Sequence, residues 1–324
     1  MAVKDRLEAA LGVRVVALAP MPVGFGLAGY RCDLADGRRL AVKARVGSAR
    51  ADLTLEAYML GELARHSALP VPAVHVAEPD LLAVDFIETD GGGITPAVER
   101  HAAELIAALH ATPRPFFGYE RDTLIGPLHQ PNPRSERWVP FFRDHRLLAM
   151  ARAAEAEGAL PAKLLMIERL AERLADYLTE PRHPSLLHGD LWTGNVLVRG
   201  NRVAGFVDPA IYCGHPEIEL AFTTLFGTFG ATFFETYERL LPLDREFHDI
   251  RCALYKLYPT LVHVRLFGGA YIPPIEQTLS RVGLLCFRKK NRPGDPGPVF
   301  PAKRAELQRH CLIRWALARP PILS

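Results

Sequence analysis

The feature that most restricts the fold is a change of pattern at Thr89-Asp90-Gly91-Gly92-Gly93, which separates two stretches of different periodicity in a chain of 324 residues. Before it come short runs rich in β-branched and apolar residues: VRVVALAP at 13–20, MPVGFGLAGYRCDL at 21–34 and RRLAVKA at 38–44. Asp36-Gly37 between the last two is a hairpin signal, because both residues tolerate the left-handed backbone that a tight turn needs. From Asp52 to His66 the apolar residues Leu53, Met59, Leu60 and Leu63 repeat at helical spacing, and Pro70 and Pro72 end that helix. LLAVDFIE at 81–88 reads as one more strand. After the glycine linker, residues 95–110, 137–157 and 162–179 read as helices of Ala, Leu, Glu and Arg, and two more run from Glu217 to Leu240 and from Arg245 to Leu266. Between them SLLHGDL, NVLVRG and RVAGFVD are short strand-like pieces. The expected fold class is therefore α+β, with a small β-rich lobe at 1–88 and a larger, mainly helical lobe at 89–281.

Composition narrows the class of molecule. Hydrophobic residues make up 49% and charged residues 23%, which supplies a packed core and excludes a disordered, collagen-like or coiled-coil chain. No uninterrupted apolar run reaches about 18 residues, and the start MAVKDRLEAALG lacks the basic-then-apolar order of a secretory leader, so a cytoplasmic protein with no membrane partner is expected. Cys32, Cys213, Cys252, Cys286 and Cys311 are scattered and odd in number, with no metal-like spacing, which fits free thiols in a reducing compartment. The net charge of +3 is local: residues 282–324 hold nine Lys and Arg against Asp295 and Glu306. The body is acidic overall and offers no nucleic-acid groove, while 282–324 reads as a basic, proline-rich, poorly ordered tail with a candidate helix at 302–318.

Two groups of residues carry chemistry. Gly24, Gly26 and Gly29 form a G-x-G-x-x-G run. In a dinucleotide fold its last glycine opens a helix, but here Tyr30 to Leu34 continues as a strand, so a hairpin flap over phosphates is the better reading. Lys43 follows fourteen residues after Gly29 inside an apolar strand, a place that asks for an anionic partner, and Glu56 on the next helix can hold its ammonium toward α- and β-phosphates. Singly, these are ordinary turn glycines, an edge-strand lysine and a helix-face glutamate; their order makes an ATP cradle. The second group is His188-Gly189-Asp190-Leu191-Trp192-Thr193-Gly194-Asn195, with Asp208 eighteen residues after Asp190. Phosphoryl transfer needs one carboxylate to take the proton of the attacking hydroxyl, and an amide oxygen and a second carboxylate to hold Mg²⁺. Asp190, Asn195 and Asp208 stand in that order at kinase spacing. No D-F-G or A-P-E follows Asp190, so a long activation loop for a protein-hydroxyl substrate is not expected.

HGDLWTGN, with Trp192 after HGDL, resembles the fructosamine kinase and ketosamine-3-kinase family within the aminoglycoside/choline phosphotransferase superfamily, whose folds are protein-kinase-like. IGPLHQPNPRSERWVPFFRDHRL at 125–147, the run from Asp208-Pro209 through Glu217-Ile218-Glu219 to Gly227, and YKLYPTLVHVRLFGGAY at 255–271 carry the same resemblance, which spans roughly 1–281. It implies a two-lobed, protein-kinase-like fold and an ATP- and Mg²⁺-dependent kinase that phosphorylates the 3-hydroxyl of ketosamines on proteins or free amino acids as a deglycation repair step, acting as a monomer or weak dimer. It implies Asp190 as base, Asn195 and Asp208 as metal ligands, Lys43 on the phosphates with Glu56 behind it, and the backbone near Asp85, Phe86 and Ile87 as the adenine hinge. Trp192 can offer an apolar face to a sugar ring near the reacting hydroxyl, or serve as a core plug. The chain departs from the family pattern where Phe25, Leu27 and Ala28 fill a flap that often carries a cysteine, where Glu219 replaces an Asp, and at Thr193 and Pro259. A kinase for choline, homoserine or an aminoglycoside is the alternative within the superfamily. A non-enzymatic nucleotide-binding scaffold is disfavoured by the intact Lys43, Asp190, Asn195 and Asp208.

Overall fold

The computed structural model describes residues 2–47, 52–160 and 163–290, with side chains through Val282. All the elements around the candidate site belong to one compact unit that ends at Leu279. Of the basic tail read at 282–324, residues 291–324, which include the candidate helix at 302–318, lie outside the described residues.

The N-terminal part opens on helix α1 (Val3–Leu11), which ends at Gly12 in the left-handed region. Strands β1 (Val15–Met21), β2 (Leu27–Leu34) and β3 (Arg39–Arg45) follow as a meander, then helix α2 (Leu53–His66), β4 (Val74–Glu78) and β5 (Leu81–Asp85). The five strands make one antiparallel sheet in the order β1-β2-β3-β5-β4. Strand alternation sends Leu40, Val42 and Ala44 to one face, where they pack with Leu7, Val15, Cys32 and Leu81. Ala41, Leu82 and Val84 point the other way, against Leu53, Ala57 and Leu60 of α2. Asp52 caps α2 by accepting from the Thr54 amide at 3.0 Å. The sheet is thus buried on both faces. Helix α1 was missing from the sequence reading, because its nine residues carry a single fully buried apolar side chain, Leu7.

The C-terminal part is mainly helical. Helix α3 (Pro96–Ala111) starts at the Thr95 cap, and the small hairpin β6 (Thr123–Ile125) and β7 (Leu128–Gln130) leads to α4 (Trp138–Phe142), α5 (Ala149–Ala156) and α6 (Leu164–Ala171). Then come β8 (Ser185–Leu187), the hairpin β9 (Val196–Arg199) and β10 (Arg202–Phe206), and β11 (Tyr212–Gly214), which pairs with β8. Helices α7 (Pro216–Leu225), α8 (Ala231–Leu240), α9 (Cys252–Phe267) and α10 (Ile272–Lys290) complete the described chain. The structure breaks the expected helix from Glu217 to Leu240 in two at Gly227, whose φ of 63° ends α7. Glu99 of α3 caps the new start, accepting from the amides of Gly230 at 2.7 Å and Phe233 at 3.1 Å. The stretch read as one helix at 162–179 is helical only to Ala171, with a short tighter turn at Leu174–Asp176 that buries Leu174. At the other extreme α10 runs to Lys290, beyond the point read as the start of the tail, since no Gly or Pro interrupts Leu284 to Asn291. Among the described residues no helix is long and apolar enough to cross a membrane.

Candidate active site

Strand alternation explains why Lys43 is where it is. It lies opposite Leu82 on the α2 face of β3, and α2 presents Glu56 to that face. The Lys43 ammonium donates to Glu56 Oε1 at 2.8 Å and to Asp208 Oδ1 at 2.5 Å. Asp208 is 165 positions away in the chain. Burial works against the ammonium, but the two carboxylates outweigh it and raise the lysine pKa. Burial pushes Glu56 up to about 6, with the Asp208 charge adding to it and Lys43 opposing it. A buried cation shared by two carboxylates is a site with a spare negative charge and an open claim on a further cation.

The glycine run forms the turn between β1 and β2. The Leu27 amide closes it on the Gly24 carbonyl at 3.4 Å, and Phe25 and Gly26 both take left-handed backbone, with φ of 59° and 72°. Gly29 is required by crowding: a Cβ there would stand 2.5 Å from the Met21 carbonyl oxygen and from Val23. No helix follows Gly29, in agreement with a hairpin flap and against a dinucleotide-binding turn.

The loop after β8 carries Asp190. Gly189 has φ of 84°, and a Cβ on it would overlap the Ala210 carbonyl, so the tight bend before Asp190 needs glycine. His188 is fully buried; its Nε2 meets the Val207 carbonyl at 3.1 Å and its Nδ1 accepts from the Asp190 amide at 3.4 Å. Burial lowers its pKa, in keeping with a neutral ring that locks the loop. Beneath the loop lies Glu219 of α7, which accepts from the Gly189 amide at 2.6 Å, the His188 amide at 3.2 Å and His110 Nε2 at 2.9 Å. The other nitrogen of His110 meets the Tyr237 hydroxyl at 2.8 Å. Burial would raise the Glu219 pKa, yet these donors hold it below the usual carboxylate range. The glutamate that replaces an Asp therefore reaches the loop directly.

Asn195 ties the two aspartates together. Its amide nitrogen donates to the Asp190 carbonyl at 2.8 Å, to Asp190 Oδ2 at 3.0 Å and to the Asp208 carbonyl at 3.4 Å. Asp208 sits after β10 with φ of 53°, a left-handed conformation that Asp tolerates better than most residues. Burial raises Asp190 to about 7, the charges of Asp208 and Glu219 adding to the rise and the Asn195 amide opposing it. A carboxyl held near neutrality can accept a proton at working pH.

Asp85 and Phe86 donate their amides to the carbonyls of Ala73 and Arg39, both at sheet distances of 2.9 and 3.0 Å. Their N–H groups are thus committed to the sheet, which leaves the Ile87 amide and the carbonyls of the three residues for a base; the Ile87 side chain lies against Gly205 of β10. Trp192 is no core plug: it is 41% exposed and meets Phe226 edge-on at 6.3 Å. It borders a cavity of about 100 Å³ that also takes in Asp190, Phe25, Gly126, His263 and Phe267. The sequence places Phe25 in the flap and gives no acceptor-side role to it, to His263 or to Phe267; the resemblance at 255–271 covers the last two. His101 and His129 are placed elsewhere, on Arg202 and Asp122.

Asn195 Oδ1 and Asp208 Oδ2 are oxygen donors of the kind Mg²⁺ takes. Among the described residues no group of three or more His, Cys, Asp or Glu is arranged to hold a metal.

Comparison with known proteins bears on the family and the fold. A profile of the fructosamine kinase family matches residues 8–284. A probable ketoamine kinase of Synechocystis sp. is 39% identical over 180 residues, which cover 54% of this chain and 59% of that relative, so the match spans less than two thirds of its length. A crystal structure of a candidate fructosamine-3-kinase from Thermobifida fusca superposes with a TM-score of 0.78 at 32% identity, over 86% of this chain and 98% of the other. The aminoglycoside phosphotransferase APH(4)-Ia, in complex with ADP and hygromycin B, shares the fold at 18% identity with a TM-score of 0.60, over 90% of this chain and all of that one.

Proposed function

The chain belongs to the fructosamine kinase family, and on that footing we propose that it transfers the terminal phosphoryl group of ATP to the 3-hydroxyl of ketosamines, sugar adducts on protein or free amino groups, as a deglycation repair step. The observation that carries this reading is the Lys43 ammonium held between Glu56 and Asp208 in a site where Asn195 joins Asp208 to Asp190. In it, Gly24, Gly26 and Gly29 let the flap backbone approach the phosphates, and Lys43, oriented by Glu56, neutralises them. The Ile87 amide and the carbonyls of Asp85 and Phe86 receive the adenine edge. Asn195 and Asp208 would hold Mg²⁺, which would supply positive charge at the phosphates. Asp190 accepts the proton of the attacking hydroxyl, its carboxylate kept in line by Asn195 and its loop by Glu219. Trp192 offers its exposed face to the sugar portion.

The sheet to Asp85 supplies most of the nucleotide's contacts, while the helical part from Pro96 supplies Asp190 for the acceptor and, through Asn195 and Asp208, the metal side of the phosphates. The free thiols Cys32, Cys213 and Cys252 favour a cytoplasmic setting. The test is a panel of acceptors incubated with Mg-ATP: ribulosamine, erythrulosamine and fructosamine lysines, with choline, homoserine and an aminoglycoside as competitors. Phosphate on a ketosamine 3-hydroxyl is expected. Transfer only to one of the other alcohols would overturn the substrate assignment and keep the kinase.

A further inference from the structure

The nucleotide flap reaches further than phosphate binding requires. Its tip residue, Phe25, has a backbone φ of 59°, an uncommon state for a bulky side chain, and it leaves the ring 48% exposed. The ring does not hang free. It lies 6.2 Å from the ring of Phe267 on α9, and a Cβ built on Gly126 would come within 3.3 Å of it. Gly126 follows β6, so Phe25 crosses from the sheet to two separate elements of the helical part. Together they form one side of a partly open cavity of about 100 Å³ that Asp190 and Trp192 also line. That volume is small beside the roughly 300–1,000 Å³ of sites for drug-sized ligands. Its walls are apolar and aromatic apart from Asp190 and His263, whose Nδ1 is bonded to the Pro259 carbonyl at 2.7 Å.

A strained residue whose ring forms a wall beside the reacting carboxylate is doing something the phosphates do not ask of it. We propose that Phe25 is an acceptor-site residue: carried on the nucleotide flap, it closes the cavity against Phe267 and Gly126 and sets an upper limit on the size of the group that reaches Asp190. This rests on the phosphoryl-transfer reading given above. It follows that one turn serves both substrates: its backbone borders the phosphates and its Phe25 ring already stands in the acceptor wall against Phe267 and Gly126. Steric walls in apolar pockets discriminate by about 10- to 200-fold per methylene-sized difference.

The experiment compares wild type, Phe25→Gly and Phe25→Trp on lysine ketosamines of four-, five- and six-carbon sugars, reading kcat/KM for each acceptor and KM for ATP. Glycine suits the left-handed backbone and removes the ring; tryptophan enlarges it. The six-carbon to four-carbon ratio of kcat/KM is expected to rise roughly tenfold in Phe25→Gly and to fall in Phe25→Trp. Ratios within about twofold of wild type in both variants, with only KM for ATP displaced, would overturn the proposal and confine Phe25 to the nucleotide. If the wild type phosphorylates a different alcohol, the ketosamine assignment fails by itself, and the same ratio measured across a homologous series of that alcohol decides the role of Phe25 in the same way.

Discussion

Replacing Asp190 by Asn removes a charge that the fold holds at a disadvantage, and the size of the effect can be worked through. Burial raises the carboxyl from 3.8 to about 7. Because the folded-state pKa lies above the unfolded one, the folded protein keeps a proton that the unfolded chain gives up between those values. Stability from this group is therefore fully present below pH 3.8, declines as pH rises through the window, and is lost above about 7. At about 1.36 kcal/mol per unit the full span is worth about 4 kcal/mol. Asp190 is only partly buried, and water screening brings this to about 2–4 kcal/mol. An amide does not titrate, so Asp190→Asn is expected to gain about 2–4 kcal/mol on the wild type between about pH 4 and about pH 8. Near pH 4 the variant is expected to be level or slightly less stable, since it loses a bond from Asn195 worth about 1 kcal/mol. Urea unfolding of both proteins, free of nucleotide and metal, at five pH values across that range measures it. Turnover of the variant should fall by about 10²–10⁴ with ATP still bound. A stability difference constant with pH would refute the claim that this carboxyl is desolvated, and undiminished turnover would refute its part as base.

The remaining predictions concern the surroundings of the same group. In the free wild-type enzyme, kcat/KM should fall on the acid side with a midpoint close to 7, because only the ionised Asp190 takes up the hydroxyl proton; an acid limb near 4 would contradict its raised pKa. Glu219→Gln keeps the shape but removes the charge that accepts from the His188 and Gly189 amides. It should lower kcat about tenfold or more, change KM for ATP less than about threefold, and cost about 2–4 kcal/mol in thermal unfolding. An unchanged kcat in a destabilised protein would reduce Glu219 to a packing residue.

Much of this was legible along the chain. Alternation in RRLAVKA and the continuous apolar run in LLAVDFIE predict strands, the Asp52 cap and the two prolines bound α2, and the spacing of Asp190, Asn195 and Asp208 names three groups that the structure joins through the Asn195 amide. Helix ends read less well. The early end of α6 at Ala171 is hidden because Glu172, Arg173, Leu174 and Ala175 continue the helical pattern, whereas the break at Gly227 falls in a Phe-, Thr- and Gly-rich stretch whose two glycines are a local signal for it, although the neighbour that supplies the next cap is not. Glu99, which caps α8 from α3, is such a neighbour.

By itself, then, the order of residues determined what nearest neighbours and short periods determine: which segments pleat, which coil, where the flap turns, and that the Asp190 carboxylate and the Asn195 amide share one loop. Only the tertiary structure decided that Lys43 meets Asp208 from the far side of the chain, that Glu219 and His110 stand under the Asp190 loop, and that Phe25 closes on Phe267. The physical reason is range. A strand or a turn is selected by interactions across a few residues, whereas these contacts exist only after separate elements have packed, and their partners are chosen by the summed burial of whole faces that no local stretch encodes.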